Sequence, residues 1–223
     1  MTDHWDNLRA NLHYLQRSIS PTHRLYATIE RFSRGASLEV FDLFRIAEET
    51  GYPAEVLFKK RIDQAPKKVK MLVMDCDGVL TKGEMIVSTD GEHTKIFNVK
   101  DGMGIKRAQE SDIIVGIISH GHSTGVVEAR AKQLGIELVY VGKEPKIEIL
   151  EKWLKAENLG FDEVAYIGDD VNDIPVLEAV GAAFAPADAV EEVLLHPDVK
   201  VLNKKGGEGC IRQLVEQHLQ LKF

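Results

Sequence analysis

From residue 71 onward the chain repeats one unit, a short apolar run followed by a helix-patterned stretch. Such alternation restricts it to a parallel sheet with crossover helices. The first run, Met71-Leu-Val-Met74, shows no polar alternation, as expected of a strand buried on both faces. It ends on Asp75-Cys76-Asp77-Gly78. Carboxylates at i and i+2 of an extended segment share a face. Two like charges so placed repel and lose hydration unless a cation compensates. Gly78 lets the backbone turn sharply there. In open α/β sheets, ligands bind beyond the carboxyl ends of the strands, so the pair stands where chemistry is expected.

An acidic turn would explain the pair taken alone. However, Asp169-Asp170-Val-Asn-Asp173 follows a second apolar run, Val164 to Ile167, through Gly168. Ser119 follows the run Ile113 to Ile118, and Lys146 opens a helix pattern. Two acidic clusters, a hydroxyl and an ammonium at element ends are more specific than any one of them. The remaining pattern gives helices over 102–111, 123–134, 145–157, 174–180, 187–195 and from Gly209. Further strands fall at 137–141, 182–185 and 199–202. Between Gly83 and Phe97, two β-prone runs flank Asp90-Gly91, a hairpin signal. A hairpin leaving an α/β core must bury its apolar side or stand as an exposed edge.

The order Asp75-x-Asp77-Gly78-Val-Leu-Thr81, Ser119, Lys146, Gly168-Asp169-Asp170-x-x-Asp173 resembles the haloacid dehalogenase superfamily. More narrowly it is similar to the 3-deoxy-D-manno-octulosonate 8-phosphate phosphatases and their sugar-acid relatives. The narrower resemblance rests on Lys95-Ile-Phe97-Asn-Val-Lys-Asp101-Gly102 and on Glu128-Ala-Arg130-Ala-Lys-Gln-Leu134-Gly135. It rests also on Ala185-Pro-Ala-Asp188-Ala189 and Gly206-Gly-Glu-Gly209-Cys-Ile-Arg212. It covers residues 69 to 219 and implies a Rossmann-like α/β fold. No cap-sized insertion follows the hairpin, so a capless form is expected. The family uses the hairpin at subunit contacts, which implies a homotetramer whose neighbour narrows the substrate mouth.

The resemblance also implies a magnesium-dependent phosphatase acting on a small phosphorylated sugar acid or related metabolite. Asp75 is the candidate nucleophile, forming an aspartyl phosphate. Asp77 is the candidate acid and base, although a local turn cap is compatible with it. Oxygen ligands suit Mg2+: the Asp75 carboxylate, the Asp77 backbone carbonyl and Asp169. Asp170 and Asp173 are expected behind them or through water, and Asp173 alone would also read as a helix cap. Zinc is disfavoured because the eight histidines are scattered. Ser119 would donate to a phosphoryl oxygen, and Lys146 would place a point charge beside nucleophile and phosphate. A plain exposed lysine is the alternative for Lys146, but a cation in a first helical turn opposes the helix dipole, which a bound anion would offset.

One loop departs from the family pattern Thr-Gly-Arg-x-Ser. Here it reads Ser119-His120-Gly121-His122-Ser123, so the arginine position falls on Gly121. Substrate contacts are expected from Gly78, His120, Gly121 and Arg212: either the substrate lacks the carboxylate that the arginine would hold, or His120, His122, Arg212 or the basic N-terminal segment supplies the charge. The octulosonate phosphate itself is expected to be a poor substrate, and Gly121→Arg to improve its turnover.

Residues 1–66 lie outside the resemblance and form a helical segment. Trp5, Leu8, Leu12 and Leu15 repeat at helical spacing up to Ser20-Pro21. A second helix is expected over 22–32. A third is expected from a Ser37 N-cap through Glu49, with Leu38, Phe41, Leu43, Phe44 and Ile46 on its apolar side. A fourth is expected from Pro53 to Arg61. Charge shifts at the boundary: residues 1–68 carry 11 Lys and Arg against 9 Asp and Glu, the remainder 17 against 26. The stretch from Gly35 to Leu57 weakly resembles the last helices of repressor-type helix-turn-helix domains, but the part that would be the recognition helix is too short. Docking or oligomerisation is the expected role, and nucleic acid an unlikely partner. A regulatory protein that keeps the phosphatase fold is the competing function; the intact acidic, hydroxyl and lysine set argues against it. A phosphomutase lacks the cap to shelter its intermediate.

The net charge of −7 disfavours a nucleic-acid-coating surface. No apolar run reaches the roughly 20 residues of a membrane span. Two cysteines make no disulfide framework. The start Met-Thr-Asp-His-Trp-Asp is no signal peptide, and a cytoplasmic location is expected.

Overall fold

A computed structural model of the chain describes residues 4–52, 54–59, 69–87, 89, 93–121 and 124–219. It divides into two compact units, residues 1–65 and 66–223. The expected boundary at Gln64 to Lys68 and the Asp90-Gly91 turn lie outside the described residues.

The first unit holds helices α1 (His4–Ser18), α2 (Tyr26–Ser33), α3 (Val40–Thr50) and α4 (Ala54–Lys59). Its core is Leu8, Leu12 and Leu15 of α1 with Leu25, Ile29, Ile46 and Leu57. The amides of Asn7 and Asn11 donate to Phe58 O (3.0 Å) and Leu57 O (2.9 Å), so α1 satisfies carbonyls at the end of α4. The second helix starts later than its apolar pattern. Ser20 and His23 side chains accept backbone N–H groups of Thr22 and Leu25 in a turn that competes with helix. The third helix is not capped by Ser37: Glu39 stands at the N-cap position and makes no side-chain cap. Phe41 and Phe44 do not join the core either. They are 73% and 65% exposed, because at 100° per residue they share a stripe different from that of buried Ile46.

The second unit is built on a six-stranded, all-parallel sheet whose strands lie in the order Leu138–Gly142, Ile114–His120, Met71–Met74, Val164–Ile167, Ala182–Ala185, Val199–Val201. Its strands are β1 (Met71–Met74), β4 (Ile114–His120), β5 (Leu138–Gly142), β6 (Val164–Ile167), β7 (Ala182–Ala185) and β8 (Val199–Val201). Between β1 and β4 stand β2 (Ile86–Val87) and β3 (His93–Thr94), an antiparallel pair separate from that sheet and only two residues per strand. The helices are α5 (Val99–Glu110), α6 (Thr124–Leu134), α7 (Lys146–Glu157), α8 (Ile174–Ala179), α9 (Glu191–Leu194) and α10 (Cys210–His218). Here α5 begins three residues before the expected start, since Asn98 accepts the Lys100 N–H as an N-cap. The expected helix at 187–195 shrinks to one turn, α9.

Leu72 and Met74 pack on one side of the sheet with residues of α5, α6 and α10. Met71 and Val73 pack on the other with α7, α8 and α9. This two-sided burial is why β1 reads as an unbroken apolar run. The chain leaves β1 for β4 and β5 on one side, then returns to β6, β7 and β8 on the other, so the order reverses at β1. The carboxyl end of β1 is thus a topological switch point.

Candidate active site

The β1–β6 register pairs Met74 with Ile167, and the Asp75 N–H donates to Ile167 O at 3.0 Å. The two acidic segments therefore leave neighbouring strands side by side. One carboxylate oxygen from each of Asp75, Asp169 and Asp173 lies within 4.8 Å of the others. On the other flank β4 pairs with β1 up to Ile117, and buried Ser119 lies two residues beyond.

Lys146 opens α7 but is buried, so it is no ordinary surface lysine. Its Nζ lies 3.1 Å from Asp75 Oδ1 and 2.7 Å from Asp173 Oδ1. Burial acts to lower its pKa, yet the Asp75 and Asp173 carboxylates hold it above its ordinary value. Asp173 is fully buried and fully used. Its Oδ1 accepts from Lys146 and from the Tyr166 hydroxyl (2.5 Å). Its Oδ2 accepts the N–H groups of Asp169 (3.0 Å) and Asp170 (3.2 Å). With four donors on two oxygens, Asp173 orients Lys146 and the Asp169 backbone rather than waiting for a ligand.

Asp75 and Asp169 are different. Asp75 Oδ1 is buried with Lys146 at ion-pair distance but no aligned donor, and Asp169 Oδ1 is buried with no donor. Burial raises both carboxyl pKa values well above the usual range. For Asp75, Lys146 opposes that rise and Asp173 adds to it; for Asp169, Asp75 and Asp173 both add to it. Gly78, at φ +83°, packs its backbone so closely on Asp169 that an added Cβ would fall 1.9 Å from Asp169 Oδ2. Orphaned, oxygen-only donors facing one another fit a hard divalent cation. Such an ion would relieve both the repulsion and the missing hydrogen bonds.

Asp77 is half-exposed. Its Oδ1 is bound by the ammonium of Lys95, whose side chain is only 5% exposed. Thr81 Oγ1 lies 3.4 Å from the same oxygen. His120 is exposed at the end of β4, and Gly121 follows at φ +156° with open space where a side chain would point. His122 lies outside the described residues. An arginine at Gly121 would therefore have room but an unfavourable backbone, so the expected gain from Gly121→Arg carries a conformational cost. Arg212 sits on α10 with its guanidinium 2.5 Å from Glu216 and its N–H donating to Asp101. The structure thus gathers Asp75, Asp169, Asp173, Lys146 and Gly78, and ties Arg212 into a helix-surface ion pair.

Three contributors escaped the sequence reading. Tyr166 carried a signal, a phenol in the otherwise apolar run Val164 to Ile167. Lys95 was visible only as part of a family-like motif, and Thr81 only as the end of another.

Comparison with known proteins agrees with this geometry. Residues 98–181 match the model of the haloacid dehalogenase-like hydrolase family. The 3-deoxy-D-manno-octulosonate 8-phosphate phosphatase of Haemophilus influenzae is 36% identical over 162 residues, 71% of this chain and 87% of that protein. A probable YrbI-family phosphatase of Pseudomonas syringae pv. phaseolica superposes with a TM-score of 0.65 at 43% identity, covering 69% of this chain and 86% of that one. The octulosonate 8-phosphate phosphatase of Moraxella catarrhalis, solved with magnesium, phosphate and a KDO molecule, gives 0.67 at 33% identity, covering 71% and 90%.

Proposed function

Because this chain belongs to the haloacid dehalogenase-like hydrolases and is closely related to the capless 3-deoxy-D-manno-octulosonate 8-phosphate phosphatases, we propose that it hydrolyses a small phosphorylated sugar acid or related phosphomonoester through an aspartyl phosphate on Asp75. The observation that carries this reading is the facing pair of Asp75 and Asp169, with Asp169 Oδ1 buried without a donor and Asp75 Oδ1 answered only by a lysine that Asp173 locks in place.

Asp75 attacks phosphorus and the ester P–O bond breaks. Asp77 protonates the departing oxygen, then takes a proton from the water that cleaves the acyl phosphate. Ser119 donates its hydroxyl to a phosphoryl oxygen, and the Lys146 charge offsets that of nucleophile and phosphate. Magnesium would be held by Asp75, Asp169 and the Asp77 backbone carbonyl, and when bound it supplies positive charge that lets two anions approach.

A row of exposed apolar residues runs along the hairpin stem and into α5: Met85, Ile86, Ile96, Val99 and Met103. Such a row is what a subunit contact would cover, which supports the homotetramer; its location we take to be the cytoplasm. Val40, Phe41 and Phe44 form a second exposed row on α3, which supports a docking role for the helical unit.

The test is a magnesium-dependent screen over phosphorylated sugars and sugar acids, with light scattering on the same sample. Expected are turnover that chelation abolishes, a tetrameric mass, and weaker kcat/KM on the octulosonate phosphate than on another sugar-acid phosphate. Full activity after exhaustive chelation would contradict the site, a stable monomer the assembly, and best turnover of the octulosonate phosphate the reading of the Gly121 loop.

A further inference from the structure

The site contains two lysines whose side chains are at most 5% exposed, and each answers a different carboxylate. Lys146 lies against Asp75 and Asp173. Lys95 lies against Asp77. Lys95 comes from the segment between β3 and α5, outside the sheet that positions everything else in the site. Its ammonium is drawn out of water, which costs several kcal/mol unless an anion repays it. Asp77 is the charged partner within reach among the described residues.

The geometry at Asp77 is one-sided. Lys95 and Thr81 both address Oδ1. Thr81 is the weaker hold: its Oγ1, with a single proton to give, lies 3.4 Å from two acceptors, Cys76 O and Asp77 Oδ1, while it accepts the Gly83 N–H at 3.2 Å. Among the described residues no donor stands on Oδ2. A half-exposed aspartate would otherwise be free to turn both oxygens through solvent.

We propose that Lys95 is the positioning residue for Asp77, clamping Oδ1 so that Oδ2 faces the leaving group and carries the proton. The inference rests on the reading of Asp77 as acid and base. When the Asp75–phosphorus bond forms, the ester P–O bond breaks and its electron pair stays on the leaving oxygen. The proton on Asp77 Oδ2 follows, so the alcohol departs neutral and Asp77 is left an anion against the Lys95 ammonium. In the second half water adds to phosphorus, the acyl P–O bond breaks to restore the Asp75 carboxylate, and the proton of water returns to Oδ2. Lys95 is therefore best matched in the state that follows proton donation, as expected of a group that assists the transfer.

Leaving-group chemistry separates this role from a merely structural one. An alkoxide needs the proton as it leaves; p-nitrophenolate does not. Because kcat/KM reports the steps through the first bond cleavage, it isolates the acid. The experiment compares kcat/KM on the best alkyl phosphomonoester of the substrate panel and on p-nitrophenyl phosphate. The variants are Lys95→Met, Lys95→Arg, Asp77→Asn and the double variant Lys95→Met/Asp77→Asn, each checked for a native melt; Lys95→Gln replaces Lys95→Met if that one does not fold. Expected is a loss of about tenfold or more on the alkyl ester for Lys95→Met, within the roughly 10²–10⁴ range that general acids supply, with less than about threefold on the aryl ester. Lys95→Arg restores most of it, and the double variant is no worse than Asp77→Asn. If Asp77→Asn is selective for the alkyl ester but Lys95→Met lowers both substrates equally, or neither, Lys95 does not position the acid while the role of Asp77 stands. If Asp77→Asn is itself unselective, the role of Asp77 falls and the clamp with it.

Discussion

Among the described residues, the buried polar ones of the helical unit are Asn7, Asn11 and Thr28; those of the α/β unit are Asp75, Thr81, Asp101, Ser119, Lys146 and Asp173. The first group is neutral and partnered: two amides reach carbonyls near the end of α4, and Thr28 accepts from Arg45. The second is mostly charged, and it splits. Asp101 accepts the N–H groups of Gly209 and Arg212 and so holds the start of α10. Asp173 is saturated by four donors. The half-buried Asp169 keeps an oxygen that no donor satisfies, and Asp75 Oδ1 has only the Lys146 ammonium, 3.1 Å away and poorly aligned. Glu49 of the helical unit also has an oxygen without an aligned donor, but Arg24 stands 2.7 Å away. Buried charge alone therefore does not mark the chemistry. A buried oxygen with neither a hydrogen-bond donor nor an ion pair among the described residues, as at Asp169 Oδ1, is what fits a bound cation instead.

Replacing the proposed nucleophile should break the comparison most sharply. Asp75→Asn should lower turnover by at least about a thousandfold, yet leave the α/β unit folded, because it removes a desolvated charge rather than a structural bond. A collapsed melt would place Asp75 with the architectural group instead. Asp173→Leu should do the opposite in kind. It strands Lys146, Tyr166 and two N–H groups, at a cost of about 3–5 kcal/mol in chemical denaturation, with activity falling as well. An unchanged midpoint would show that its four bonds hold nothing together.

Smaller still, Asn11→Leu leaves the Leu57 carbonyl unpaired and should cost about 1–3 kcal/mol, with kcat/KM unaltered. A loss of activity matching the loss of stability would mean that the helical unit shapes the site.

The last effect is a pH dependence. Asp75 and Asp169 have folded pKa values above the ordinary 3.8. Their protonated forms favour the fold, so their contribution is full below that value and is lost as pH rises through the raised ones. Metal-free protein should therefore lose stability from these groups toward neutrality, and a divalent cation should restore it. The rise in Tm on adding magnesium should be larger at pH about 8 than at about 5.5. A shift independent of pH would mean that the two carboxylates do not hold the ion.

The parallel sheet was legible because two-sided burial leaves no polar alternation, and β6 and β7 lie where the apolar runs stand. The placement of Asp75, Asp169, Lys146 and Ser119 at or near strand and helix ends was legible because the apolar runs that precede them mark where those elements stop. The tail of the list was not. Lys95 reaches Asp77 across 18 residues from outside the sheet, and no local period encodes such a contact. In the helical unit the apolar pattern was right but the faces were not: Phe41 and Phe44 satisfy helical spacing and still face solvent, because α1, α2 and α4 fill the core from the Ile46 side.

The central claim is that Asp75 accepts the phosphoryl group. Its most direct test is mass-spectrometric mapping of protein acid-quenched during turnover of p-nitrophenyl phosphate, whose leaving group needs no acid, in the wild type and in Asp77→Asn, where loss of the base should let the intermediate accumulate. The expected result is a phosphoryl label on Asp75 that builds up in Asp77→Asn and is absent from Asp75→Asn. Label on another residue, or phosphate release that continues in Asp75→Asn, would contradict it.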